Sequence, residues 1–96
     1  VGLIDDVREE VCAIPPGQVW SYGDIGEVLH ISARQVGRVM GILDDDDAVP
    51  WWRVVRADGT PATCHEGTAP ELLAQEGTPM RGSRVDMRLA RRQPRQ

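Results

Sequence analysis

Two short amphipathic runs separated by a tight turn constrain this chain more than any other feature. From Tyr22 to Leu29, the residues Ile25, Val28 and Leu29 fall on one helical face, and Ser21 stands before them as an N-cap. After a second cap at Ser32, Val36, Val39, Met40 and Leu43 recur at i, i+3, i+4 and i+7. His30-Ile31 is all that remains for the connection, so the two predicted helices form a helix-turn-helix unit. A further amphipathic helix is predicted over residues 3–13, where Leu3, Val7, Val11 and Ile14 alternate with Asp5, Asp6, Glu9 and Glu10 before Pro15-Pro16-Gly17 ends the run.

Downstream, Trp52-Arg53-Val54-Val55 reads as a short strand and Asp58-Gly59 as a turn, which is where a wing belongs. Glu71 to Gln75 reads as a short helix stopped by Gly77, and Thr78–Met80 can pair with Arg84–Met87 around Gly82-Ser83. Ninety-six residues fit one small domain. The expected fold is mainly α, a small winged helix-turn-helix with a short β wing or hairpin, occupying residues 1–90 and followed by a basic flexible tail at 91–96.

A net charge of −4 argues against a non-specific nucleic-acid binder, whose phosphate contacts need a basic face. The charge is polarised, however. Residues 1–48 carry three arginines against ten carboxylates, a balance of −7, whereas residues 49–96 carry eight against five, a balance of +3. Any nucleic-acid surface is therefore local. No apolar run approaches the roughly 20 residues of a membrane span, and no basic-then-apolar signal segment opens the chain, so the expectation is a cytoplasmic protein with no membrane partner. Cys12 and Cys64 stand far apart without metal-ligand spacing, and neither a disulfide, a metal site nor a cofactor is expected.

The outward side of the third helix is unusual. Ala33, Gly37 and Gly41 recur every fourth residue and share one face, with Arg34 and Arg38 beside them. Glycine inside a helix costs about 0.5–1 kcal/mol relative to alanine, so two of them imply that something approaches the backbone closely. Another helix would satisfy that requirement, leaving the arginines as solvated charges. A DNA minor groove would satisfy it too: a helix about 10–12 Å across enters a groove roughly 6 Å wide only if its contact face is stripped and the groove opens.

Four ordered segments then narrow the choice: Ile14-Pro15-Pro16-Gly17, Ser21-Tyr22-Gly23-Asp24-Ile25, Ala33-Arg34-Gln35-Val36-Gly37 and Val49-Pro50-Trp51-Trp52-Arg53-Val54-Val55. In order and spacing they resemble the IPxG, SYGxIA, ARAVG and PCHRVV motifs of the DNA-binding domain of O6-alkylguanine-DNA alkyltransferases. Leu72-Leu73-Ala74-Gln75-Glu76-Gly77 resembles the same family's LLxxEG. The resemblance covers residues 3–77. It departs where the enzymes carry the cysteine that accepts the alkyl group and a histidine that helps to form its thiolate, because Trp51 and Trp52 stand there. Indole offers only an N–H donor and cannot make that attack.

Tryptophan in place of the cysteine resembles the alkyltransferase-like proteins. The resemblance therefore implies a protein that is not an enzyme, binds O6-alkylguanine in duplex DNA through the minor groove, flips the base, and marks it for nucleotide excision repair, acting as a monomer beside repair proteins. By the same resemblance Tyr22 presses on the phosphate 3′ of the lesion, Arg34 fills the vacated stack, the carbonyls of Trp51 and Val54 accept from the guanine amine, and Trp51 walls the pocket. Ala33, Gly37 and Arg38 complete the expected DNA face. An inserted guanidinium can replace part of the few kcal/mol of stacking and pairing that flipping costs.

Several residues keep two readings. Trp52 fits a core aromatic or a second pocket residue. Cys64-His65, in the loop after the wing turn, borders the expected pocket and resembles the lost dipeptide, but no proline precedes it and Glu66 follows, so slow alkyl transfer to Cys64 is the enzymatic alternative; a sequence-reading winged-helix regulator is the other. The Asp44–Asp47 run lacks the glycine and spaced oxygens of a calcium loop and reads as a solvated connection. Arg81, Arg84, Arg88, Arg91, Arg92 and Arg95 supply either phosphate contacts, a partner surface or a solvated tail.

Overall fold

The computed structural model describes residues 2–43 and 48–92; the Asp44–Asp47 run and positions 93–96 lie outside the described residues. Helix α1 (Leu3–Cys12) is followed by strand β1 (Trp20–Ser21), helix α2 (Tyr22–Leu29) and helix α3 (Ala33–Leu43). A single 3-10 turn (Trp51–Arg53) then leads into strand β2 (Val54–Val55). An irregular turn α4 (Cys64–Gly67), helix α5 (Ala69–Gln75), strands β3 (Met80–Arg81) and β4 (Arg84–Val85), and a last turn of helix α6 (Met87–Ala90) complete it. This is the expected small, mainly α helix-turn-helix domain with a β hairpin.

The caps form as the sequence predicts. The Ser21 hydroxyl accepts from the Asp24 N–H at 3.0 Å while the Asp24 carboxylate accepts from the Ser21 N–H, also at 3.0 Å, a closed capping box. Ser32 and Gln35 repeat the arrangement at the start of α3. Between them His30 takes a left-handed backbone (φ 60°), so the chain reverses in two residues. That turn is tight enough to require Gly26, where an added Cβ would lie 2.5 Å from the Ile31 carbonyl oxygen. The close approach turns α2 so that Asp24, Ile25 and Gly26 face inward while Val28, expected in the core, is 43% exposed.

Residues 54–55 pair in parallel with β1, Trp20 opposite Val54 and Ser21 opposite Val55, rather than forming a wing strand. The Asp58-Gly59 turn is present, with Gly59 at φ 89°, and it packs on β4, where the Val85 N–H donates to the Gly59 carbonyl. The antiparallel hairpin is β3–β4. Because side chains alternate across a strand, the β1–β2 pair divides the interior. Trp20 and Val54 join α1, α2 and α3 in one cluster, whereas Val19 and Val55 join Leu73, Val85 and Ala90 in a second.

Arg91 and Arg92, expected in the basic tail, are held by the fold, while positions 93–96 lie outside the described residues. Arg91 bridges to Val19, and its guanidinium grips the Asp24 carboxylate. Arg92 lies 4.6 Å over the Trp20 ring, and its N–H donates to the Val19 carbonyl at 2.8 Å. Buried acidic and aromatic partners on earlier elements hold both residues, which composition alone could not indicate. No helix among the described residues is long and apolar enough to cross a membrane.

Candidate nucleic-acid interface

On α3 the apolar stripe Val36, Val39, Met40 and Leu43 is buried, and this fixes the opposite side outward. Ala33, Arg34, Arg38 and Gly41 are exposed and Gly37 is half-buried. A Cβ added at Gly37 or Gly41 would meet nothing within 4 Å. None of the described helices therefore occupies the stripped face, which removes close packing among the described elements as the reason for the glycines.

This face borders a cleft of about 220 Å³, more than the roughly 150 Å³ of an engineered cavity that admits benzene. Tyr22, at the start of α2, forms one side, and Gly37, Met40 and Gly41 of α3 form another. Trp51 lines it from the 3-10 turn, and Arg56, Ala62 and Thr63 come from the loop after β2. Tyr22 and Gly37, expected on the DNA face, thus meet Trp51, expected in the pocket, at one cleft. Arg34, Arg38 and Ala33 lie outside the cleft, on the adjoining exposed face of α3.

Trp51 is only 8% exposed, and the imidazole of His65 lies flat against it, ring centres 4.0 Å apart and planes 16° apart. His65 and Glu66 both hold left-handed backbones (φ 54° and 59°), conformations that cost a non-glycine residue energy and persist only where surroundings enforce them. The Cys64 side chain lies outside what the structure describes. Val54 is fully buried and faces the core, so only its backbone could reach a ligand. The Trp51 carbonyl already accepts from the Val54 N–H and retains one further lone pair.

Trp52 does not share the cleft. Its ring stands at 88° to that of Trp51, and its indole N–H donates to Glu76 at 3.0 Å. Of its two sequence readings, the structural one holds, because the 3-10 turn sends consecutive side chains in different directions. Arg53 shares that carboxylate and also donates to the Ile14 carbonyl at 2.9 Å. The Arg53 hydrogen bonds hold the Glu76 carboxyl below its usual range, outweighing burial. The Ile14-Pro15-Pro16-Gly17 loop, the Trp51–Arg53 turn and the end of α5 are thus tied together behind the cleft, which fixes the position of Trp51. No cluster of three or more metal-ligating side chains occurs among the described residues.

Comparison with known proteins meets this geometry. The model of the 6-O-methylguanine DNA methyltransferase DNA-binding domain matches residues 3–78. The chain belongs to that family, on its alkyltransferase-like branch. It is 43% identical over 56 residues to alkyltransferase-like protein 1 of Schizosaccharomyces pombe, covering 56% of this chain and 52% of that protein. It is 39% identical over 71 residues to the DNA base-flipping protein of Escherichia coli, covering 72% of this chain and 52% of that one. The chain thus spans about half the length of the curated relatives it matches. The crystal structure of S. pombe Atl1 in complex with damaged DNA containing O6-carboxymethylguanine superposes with a TM-score of 0.82 at 28% identity, over 95% of this chain and 94% of that one.

Arg56, Ala62 and Thr63 line the cleft without any signal in the sequence, and Met40 and Gly41 line it beside them although the sequence assigns them other roles. Met40 reads as core by periodicity, and Gly41 was assigned only to the stripe. The loop residues carry no periodic signal at all; their place is set by the turn at residues 56–60.

Proposed function

We propose that this alkyltransferase-like protein is a lesion sensor that binds O6-alkylguanine in duplex DNA from the minor groove, rotates the damaged nucleotide into the cleft and leaves its alkyl group in place. One observation carries the reading: the face of α3 stripped to Ala33, Gly37 and Gly41, where a Cβ added at either glycine would meet none of the described residues within 4 Å, runs into a ring-sized cleft walled by Trp51. A regulator reading the major groove has no use for a bare recognition helix, since direct readout requires side chains on base edges.

In this reading α3 lies along an opened minor groove with Gly37 and Gly41 against the sugar edges. Tyr22, on one side of the cleft, turns the nucleotide by pressing on its 3′ phosphate, and Arg34 fills the gap in the stack. The flipped guanine lies beside Trp51, and the free lone pair of the Trp51 carbonyl and the backbone of Val54 accept from its amine. Trp51 stands where the enzymes have their nucleophile, so recognition proceeds without transfer, and the bound, distorted duplex is passed to nucleotide excision repair.

The test is a binding titration with duplexes differing at one guanine. A clear preference for O6-methylguanine over guanine is expected, weakened by Arg34→Ala and by Tyr22→Phe without loss of the fold; equal affinity for the two duplexes removes the proposal. Intact mass after incubation with the methylated duplex is expected to be unchanged, and a gain of one methyl group would establish transfer to a residue such as Cys64 instead.

A further inference from the structure

Four arginines with known surroundings each face a carboxylate: Arg53 with Glu76, Arg84 with Asp58, Arg91 with Asp24 and Arg92 with Glu10. Arg56 is different. It is exposed, it lines the cleft, and its guanidinium has no carboxylate partner among the described residues. Of the side chains lining the cleft it is also the one that carries a full charge.

Its position is fixed by the fold. Val55, immediately before it, is fully buried in the parallel pair with β1. The Arg56 N–H donates to the Thr60 carbonyl at 3.0 Å, and its carbonyl accepts from Gly59 at 2.8 Å. The turn lies close against the hairpin: an added Cβ on Gly59 would be 2.3 Å from the Val85 carbonyl oxygen, and the Val85 N–H donates to the Gly59 carbonyl at 2.9 Å. Arg56 stands at the solvent-exposed edge of the cleft beside Met40, Trp51 and Ala62, and a ligand filling the cleft would exclude water from one side of its guanidinium, where its attraction for an anion is larger than in open solvent.

We infer that Arg56 makes this cleft selective for O6-alkylguanines whose substituent ends in a carboxylate, over neutral substituents of the same size. The inference rests on the proposed lesion-sensing function and adds to it the class of adduct. A guanidinium offers two parallel N–H donors matched to a carboxylate, whereas a neutral alkyl chain leaves them facing water. Arg34 and Arg38 cannot supply this discrimination, because they lie on the exposed face of α3 outside the cleft.

The experiment measures dissociation constants of the full chain for four duplexes carrying guanine, O6-methylguanine, O6-carboxymethylguanine or O6-carbamoylmethylguanine at one position. The last is the neutral amide of nearly the same shape as the acid. Wild-type protein is expected to bind the carboxylate adduct roughly tenfold or more tightly than the amide, the scale of one charge-assisted hydrogen bond. Arg56→Gln is expected to bring that ratio close to one, and Arg56→Lys, which keeps the charge, to hold it above one. A wild-type ratio near one overturns the inference. So does a ratio that survives Arg56→Gln while all four duplexes weaken together with a shallower salt dependence, which would mark Arg56 as a contact to the DNA phosphates. Failure of the underlying function reads differently: wild-type protein would not separate O6-methylguanine from guanine.

Discussion

Gly37 and Gly41 set the stability of α3 against the proposed contact with DNA. Both sit inside α3, where glycine is a poor helix former, and both point into open space. Gly37→Ala is therefore expected to stabilise the free protein by about 0.5–1 kcal/mol, with Gly41→Ala acting alike. Thermal or urea unfolding measures that gain. The same substitutions are expected to weaken binding to O6-methylguanine duplex, and Gly37→Leu to weaken it further, because each added side chain stands where the groove must close. A variant both more stable and equally tight would show that the stripped face is unused. At this scale the sequence revealed the stripe but not its surroundings: only the empty space beyond each glycine decides against packing by another helix. Arg56 was invisible for the opposite reason, since a single charged residue in a loop carries no periodicity, and its place in the cleft follows from the tight turn behind it.

The helix-turn-helix elements were legible because their signals are local. Serine caps and apolar residues at helical spacing act within one or two turns of chain. Elements that depend on remote partners were not legible in the same way. Val54-Val55 reads as a strand, but its pairing with Trp20-Ser21 in parallel, rather than in a wing, depends on contacts more than thirty residues away. Likewise α6 is held by the Asp86 cap and by the Val19 bridge to Arg91, and the basic composition around it masks both. One local departure from the family pattern carries a sharp expectation. Where the resembled SYGxIA motif has alanine, this chain has Gly26, and the two-residue turn at His30-Ile31 brings a carbonyl within 2.5 Å of the missing Cβ. Gly26→Ala, although it restores the family's residue and raises helix propensity, is expected to destabilise the domain by about 1–3 kcal/mol, because backbone must move to admit the methyl group. A denaturation midpoint at or above the wild type would mean that the turn yields easily.

Across the whole molecule, two charged ties join segments that are distant in sequence: Arg53–Glu76 links the pocket turn to α5, and Arg91–Asp24 links the end of α6 to the cap of α2. They hold the two apolar clusters in register on either side of β1–β2, and with them the cleft. Each carboxyl titrates below its ordinary value. For Glu76 the Arg53 hydrogen bonds dominate. For Asp24 burial pulls upward, but the hydrogen bonds from Arg91 and Ser21 together outweigh it. Folded carboxyls that bind protons less readily than unfolded ones make the unfolded chain the better proton acceptor in acid, so stability rises with pH in that range. Their contribution is complete above the unfolded values, about 3.9 for aspartate and 4.3 for glutamate, and is lost as pH falls through the lower folded values. Urea unfolding at a series of pH values is expected to show stability level near neutrality and declining below about pH 4. Glu76→Gln should be less stable than wild type at neutral pH, because Arg53 is then left half-paired in a largely buried position. That gap should narrow in acid, where protonated Glu76 resembles glutamine in charge. A gap that stays constant from neutral pH to pH 3 would mean that the carboxylate's charge contributes nothing and that Glu76 acts only through its shape.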